Sequence, residues 1–234
     1  AEVHLVAGVP DWSSKPLLSC TVMKNELLSR ADIKDWVTKE TERRSALIQV
    51  ADAPFAHGSV RKAYYGRRHF PPAGGVSGGS CASSVTSGSV HVGDMESSED
   101  VVLKEYIKDA TSPQLDRYRY LVDLEVQSVA ASLALEFNKR LEKTTANPGR
   151  HLRFLMAKLV MIPASAGGTT GPRFLAMEKQ FRGEMVKLTN NYKFVRPEES
   201  VSASMAPCVD LAMAFSHFTW EYTTQYCLVC DLQG

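Results

Sequence analysis

Ala214-Phe-Ser-His-Phe-Thr-Trp-Glu-Tyr222, followed by Gln225-Tyr-Cys-Leu-Val-Cys-Asp-Leu-Gln-Gly234, is the stretch on which the reading of this chain turns. The apolar run Tyr226 to Val229 predicts a strand that delivers an acid and an amide, Asp231 and Gln233, at its C-terminal end. Side chains two apart on a strand point to one face, so both oxygen-bearing groups aim at the same spot. Gly234 then lets the chain turn sharply. Few, hard oxygen ligands suit Mg²⁺ shared with substrate phosphates. A second reading stands beside it, because turn chemistry alone ends many strands in Asp and Gly.

Composition narrows the class. The 234 residues suffice for one large domain or two lobes with a sizeable core. Apolar content of 44% and charged content of 23% are ordinary for a globular protein. A net charge of +1 gives no case for a nucleic-acid or membrane-surface partner. No apolar run is long enough to span a bilayer, and no signal segment opens the chain. Five cysteines without framework spacing favour a reducing compartment, so the expected setting is cytoplasmic.

Upstream of the decisive stretch, Met205 to Phe215 predicts a helix with Val209, Ala212, Met213 and Phe215 inward, leading into His217. A lone His beside an apolar helix is usually a satisfied core histidine. Cys227 and Cys230 have C-x-x-C spacing, but on a strand i and i+3 face opposite ways, which rejects them as a zinc knuckle. His151 to Pro163 and Arg173 to Glu178 predict neighbouring strands. After them come Gly183, Lys187 and Asn190-Asn191, the last pair readable as a turn.

Val101 to Ile107 predicts a strand with one Lys, Lys104, in its apolar half. Burying an ammonium is costly unless an anion meets it; the alternative is that Lys104 snorkels at a sheet edge. Gln114 to Lys143 predicts a long helix, with Leu121, Leu124, Val129, Leu133, Phe137 and Leu141 at three- and four-residue spacing. Glu125 and Glu136 are its candidate acids for pairing the strand Lys. Ser45 to Val50 and Lys62 to Tyr65 predict a hairpin. Its turn, Pro54-Phe-Ala-His-Gly-Ser-Val-Arg61, is either structural or a loop in which backbone N–H groups near Gly58 and the Arg61 guanidinium meet phosphate. Residues 67–100 lack an apolar period and predict a flexible insertion. Ser29 to Arg44 predicts an amphipathic helix in a flanking segment, residues 1–44, ahead of a main domain, residues 45–234.

Four motifs occur in the order of a known family. Phe-Ala-x-Gly-x-x-Arg, Val-x-Lys-x-Tyr, Gly-Glu-x-x-Lys-x-x-Asn-Asn and Ala-Phe-Ser-His-Phe-Thr…Asp-Leu-Gln-Gly resemble those of the atypical alpha-kinases. The resemblance implies an α+β, two-lobe protein-kinase-like fold, with an N-lobe antiparallel sheet, a long helix and a partial C-lobe. It implies ATP and Mg²⁺ as cofactors and a protein Ser/Thr substrate. Lys104, Arg61 and Gly58 would then serve the phosphates. Glu178 and the peptides to Phe181 would contact adenine, Gly183 allowing close approach. Asp231 and Gln233 would hold Mg²⁺, Asp231 also serving the transfer. His217 would be one ligand of a structural Zn²⁺, with the other ligands beyond this chain. The family's following Asp-Pro pair, glycine-rich loop and remaining zinc ligands are not among these residues, so the chain reads as C-terminally truncated. An ATP-binding or interaction module without catalysis is the alternative.

Overall fold

The computed structural model describes residues 8–27, 38–70, 97–108, 111–144, 149–167, 171–181, 183, 185–191 and 203–234. The chain divides into two units, one made of Ala1–Lys24, Glu40–Val122 and Ala157–Gln180, the other of Asn25–Lys39, Asp123–Met156 and Phe181–Gly234.

The first unit is built on strands β1 (Leu18–Leu27), β2 (Thr38–Val50), β3 (Ala56–His57), β4 (Arg61–Phe70), β5 (Ser97–Tyr106), β6 (Lys158–Ile162) and β7 (Arg173–Lys179). They lie in the order β2-β1-β6-β7-β5-β4-β3, and β2 also pairs β4. That extra pairing, with Val50 opposite Gly66 and Leu47 opposite His69, closes six strands into a ring. Alternation along each strand then fills the ring. Val22, Ile48, Tyr64, Val101, Leu103, Val160, Ile162, Leu175 and Met177 form one buried cluster, with every strand of the ring contributing. A closed sheet has no free edge to protect.

Gly66 sits where β4 is paired on both sides, opposite Val50 and Val101. A Cβ there would lie 2.6 Å from Leu103 Cδ1 and 3.0 Å from Val101 Cγ2. Leu103 is completely buried and has nowhere to retreat. On the other face, His69 Nε2 and Gln49 Oε1 are 2.8 Å apart. Gln49 Nε2 donates to the carbonyls of Trp12 and Lys15 at 2.8 and 2.7 Å. This buried network ties the N-terminal segment to β2 and β4. Because Gln49 Oε1 is an acceptor, His69 Nε2 carries the proton.

In the second unit, helix α1 (Pro113–Leu141), whose first turns belong to the first unit, and helix α3 (Ala206–Tyr222) supply most of the core. A four-residue turn, α2 (Ala164–Gly167), precedes β7. Leu133, Ala134, Phe137, Ala212, Phe215 and Leu232 are buried together. Phe137 meets the Phe215 ring edge-on at 5.5 Å, the preferred arrangement of aromatic pairs. Pro207 occupies the first turn of α3, where its missing N–H costs nothing.

Several sequence expectations are corrected here. Of the helix expected over Ser29 to Arg44, residues 29–37 lie outside the described residues, and residues 38–44 are strand β2. Exposure alternates from Thr38 to Arg43, a period of two that pairing imposes over the helical spacing of Ile33, Trp36 and Val37. Of the insertion expected over 67–100, both ends are strand. β4 and β5 pair through Phe70 and Ser97, and Arg67 Nε bonds Asp100 Oδ1 at 2.9 Å. Residues 71–96 lie outside the described residues. The strand expected over His151 to Pro163 narrows to β6. Before it, Asn138 takes the place of a neighbouring strand, its side chain bonding both the N–H and the C=O of Leu152 at 3.0 and 2.8 Å.

Two outcomes are expected. Gly66→Ala should cost about 1–3 kcal/mol in urea denaturation, as overpacking of a filled core does. The double variant with Leu103→Ala should lose less than the sum of the two singles; full additivity would show that Leu103 does not set the cost. For His69, burial and then Arg67 hold the imidazole below its ordinary value of 6.5. The folded protein therefore binds the proton less readily than the unfolded chain. The stability His69 contributes is complete above pH 6.5 and falls as pH drops from there toward the folded value. Urea midpoints across pH should show this slope, and His69→Gln should flatten it.

Candidate functional site

Strand register places the first cluster of functional side chains. Ala63, Lys104, Ala176, Leu159 and Met23 lie opposite one another in turn across β4, β5, β7, β6 and β1. Ala56 of β3 extends the row beyond Ala63. This row lies on the face of the sheet opposite the buried cluster, since Leu103 and Leu175 point inward. Lys104 is thus the one long side chain between two alanines, and its ammonium has room to lean along the strands. It leans toward Glu178, which is two residues beyond Ala176 on β7, and Nζ lies 2.6 Å from Glu178 Oε2. Diagonal neighbours of this kind are within reach of long side chains. Glu178 is 7% exposed, so its carboxylate needs that counter-charge.

The acid that meets Lys104 therefore comes from β7. Glu136, one of the two helix acids weighed for this role, instead faces Lys139 and Arg140 along α1, each at 3.7 Å. Arg61 opens β4, half-buried, with its guanidinium 5.6 Å from the centre of the Tyr106 ring. The Gly58 amide, expected to be offered outward, donates to the Arg61 carbonyl at 2.9 Å and closes the β3–β4 turn.

The second cluster belongs to the other unit. Among the described residues its expected strand, Tyr226 to Val229, forms no ladder, and Lys187 and Gln233 make an isolated antiparallel bridge. Backbone bonds Val186 N–H to Gly234 O, Gly234 N–H to Val186 O and Leu188 N–H to Leu232 O flank it, at 2.8, 3.0 and 2.8 Å. Asp231 has φ +58°, the left-handed region, so the rule that i and i+2 share a face does not apply to Asp231 and Gln233. The same departure removes the strand argument against Cys227 and Cys230. The amides here are met by threonines. Thr223 Oγ1 accepts from Cys227 N–H at 2.9 Å, Thr219 Oγ1 from Val229 N–H at 3.0 Å, and Thr189 Oγ1 from Leu232 N–H at 2.9 Å. All three threonines are buried.

So held, Asp231 Oδ1 receives Lys187 Nζ at 2.5 Å. The sequence names Lys187 only within a motif; the signal that could have singled it out is its place opposite the Asp-x-Gln segment. Asp231 and Gln233 together offer hard oxygen donors of the type a Mg²⁺–phosphate group takes. Gly183 has φ +135°, a conformation that suits glycine alone, and Phe181 is exposed. His217 is exposed on α3, its Nε2 3.6 Å from Glu221 Oε1. Among the described residues no three His, Cys, Asp or Glu side chains cluster as a metal site, and the zinc role implied for His217 calls on ligands beyond these residues.

The alpha-kinase family model matches residues 56–234. The chain is 27% identical to the alpha-protein kinase vwkA of Dictyostelium discoideum, over 80% of this chain and 23% of that protein. It is 26% identical to myosin heavy chain kinase A of Dictyostelium discoideum, over 86% of this chain and 17% of that one. Mouse eukaryotic elongation factor 2 kinase is 23% identical, over 85% and 22%. The chain thus spans less than a quarter of the length of these relatives. The alpha-kinase domain of myosin heavy chain kinase A, solved with AMPPCP, superposes with a TM-score of 0.57 at 24% identity, covering 94% of this chain and 79% of that one. The same domain with AMP gives 0.58 at 23%, covering 94% and 81%. At such identities the likeness shows the fold.

Thr189→Val keeps the shape and leaves the buried Leu232 N–H without an acceptor, a loss of about 1–3 kcal/mol. Thermal unfolding should show this loss, and hydrogen exchange should rise first at residues 231–234. An unchanged exchange pattern would mean that the threonine does not hold the Asp231 segment.

Proposed function

Because the chain belongs to the alpha-kinase family, we propose that it binds ATP with Mg²⁺ and transfers the γ-phosphoryl group to a serine or threonine of a protein substrate. The observation that carries the reading is the Lys104–Glu178 pair, an ammonium held at fixed depth on a floor of alanines. Phosphoryl transfer asks the protein for positioning and charge stabilisation rather than covalent chemistry. Lys104 supplies a positive charge whose position is set by Glu178, and Arg61 supplies a second donor at the mouth of the β3–β4 turn. The hydroxyl oxygen of the substrate bonds to the γ-phosphorus as the bond to the β–γ bridging oxygen breaks, the hydroxyl proton passes to solvent, and ADP leaves. Mg²⁺, when bound, neutralises charge on the phosphate oxygens. Asp231 and Gln233 are the residues that would hold it, and Lys187 keeps the Asp231 carboxylate in place. Adenine contact at Glu178 would run through the backbone, since the carboxylate is engaged by Lys104.

The test separates binding from transfer. Purified chain is incubated with radiolabelled ATP, Mg²⁺ and a serine/threonine-rich substrate such as casein, and ATP affinity is measured in parallel by calorimetry. Lys104→Ala should lower transfer by about a hundredfold or more while the thermal transition stays cooperative. A folded, fully active Lys104→Ala would overturn the role of Lys104. ATP binding without transfer in the unaltered chain would favour the binding-module reading instead.

A further inference from the structure

Arg61 is the first residue of β4, and register sets it directly opposite Tyr106, the last residue of β5. Ala63 and Lys104 are the next pair along the two strands whose side chains point the same way. Arg61 and Tyr106 therefore lie on the same face as Lys104, one step nearer the β3–β4 turn. The backbone here is fixed from both sides. Gly58 N–H donates to the Arg61 carbonyl and Ile107 N–H to the Val60 carbonyl, each at 2.9 Å. A fixed backbone does not place a guanidinium, because the arginine stem has many rotamers. One contact that does place it is the half-buried Tyr106 ring, whose centre lies 5.6 Å from the Arg61 guanidinium.

Tyr106 is in turn held by the first turns of α1. Ser112 opens that helix, its hydroxyl accepting from Leu115 N–H at 3.2 Å, and Pro113 takes the first helical position. Started there, the helix carries Asp116, Arg119 and Tyr120 on one face. The hydroxyl of Tyr120, a buried residue, accepts from Tyr106 N–H at 3.2 Å, and the two rings meet edge-on at 5.1 Å. The Arg119 guanidinium also lies over the Tyr106 ring, 4.2 Å from its centre. It is fixed there by a bond to Asp116 and by donation to the Lys108 carbonyl at 2.8 Å. Lys104 takes its acid from β7. The start of α1 bears on the phosphate side chains by another route, through Tyr106 to Arg61.

We propose that Tyr106 is a positioning residue for phosphate binding: its ring sets where the Arg61 guanidinium stands, and α1, through Arg119 and Tyr120, sets the ring. The inference rests on the kinase reading, in which Arg61 meets the phosphates of ATP. A shift of the first turns of α1 then loosens or restores the hold on phosphate without touching the Lys104–Glu178 pair. The test is a double-mutant cycle in the full chain, read by calorimetry. Tyr106→Leu should weaken ATP binding about tenfold, as loss of a cation–ring contact allows. Adenosine, which carries no phosphate, should bind as before. Arg61→Ala should lose about as much ATP affinity, and the double variant no more than either single. Tyr106→Phe keeps the ring and should restore the affinity. Arg119→Leu acts from the helix side and should weaken ATP about threefold, even where Tyr106→Leu does not fold; no effect there would overturn the link to α1. With no nucleotide present, the Arg61 Nε–H signal of an arginine-labelled chain should move in Tyr106→Leu and return in Tyr106→Phe. Losses that add in the double variant, an unmoved Arg61 signal, or an equal loss of adenosine would overturn the proposal and leave the kinase reading standing. A folded, unaltered chain that binds no ATP would overturn the two together.

Discussion

Everything in the first unit depends on β4 being paired along both edges. β5 takes one edge over its whole length, and β3 and then β2 share the other. That arrangement turns a twisted sheet into a ring, and it demands a residue without a side chain where β2, β4 and β5 meet. With Gly66 in that place, Leu103 fills the space a Cβ would take. Closure also fixes register, because a one-residue slip of β5 would carry Leu103 outward and Lys104 into the apolar interior. The position of the charged pair is therefore a consequence of the packing.

The Lys104–Glu178 pair is weak evidence for stability. A buried carboxylate loses several kcal/mol of hydration, and its attraction to an ammonium roughly restores what was lost. What the pair gives is location. Two strands hold the charges diagonally opposed, and neither side chain can move far without leaving the other unpaired in a poorly solvated place. A ligand phosphate meeting Lys104 would find a cation already oriented, at less cost in rotamer freedom.

How much of this was legible follows from which interactions are local. Lys104 stood out because it is the one ammonium in the strand Val101 to Ile107, directly after the apolar Val101-Val-Leu103. α1 was readable by period, the β6–β7 pair was read as neighbouring strands with the first drawn too long, and the alpha-kinase motifs fixed the fold class. Glu178 as the partner of Lys104 was not readable: it lies 74 residues away along the chain, and only the offset of β7 against β5 brings it there. Residues 38–44 misled because their charges fit a helix surface as well as a strand edge, and the choice was made by neighbours rather than by propensity. The Asp231 segment misled for the opposite reason. Its apolar run has strand composition, but its amides are met by threonine hydroxyls.

That substitution of side chains for a sheet has a consequence for the candidate metal-binding acid. A ladder would have fixed Asp231 in extended geometry and spaced it from Gln233 by the strand repeat. With Leu232 N–H held by Thr189 and Val229 N–H by Thr219, Asp231, one of the two residues in between, is free to take φ +58° and turn its carboxylate to Lys187. A non-glycine residue in the left-handed region costs of order 1 kcal/mol or more. It persists here because bonds on both sides over-determine it. The backbone that carries the Asp231 carboxylate is thus held by three buried hydroxyls, and Thr219, a polar residue within the apolar pattern of α3, is part of what positions it.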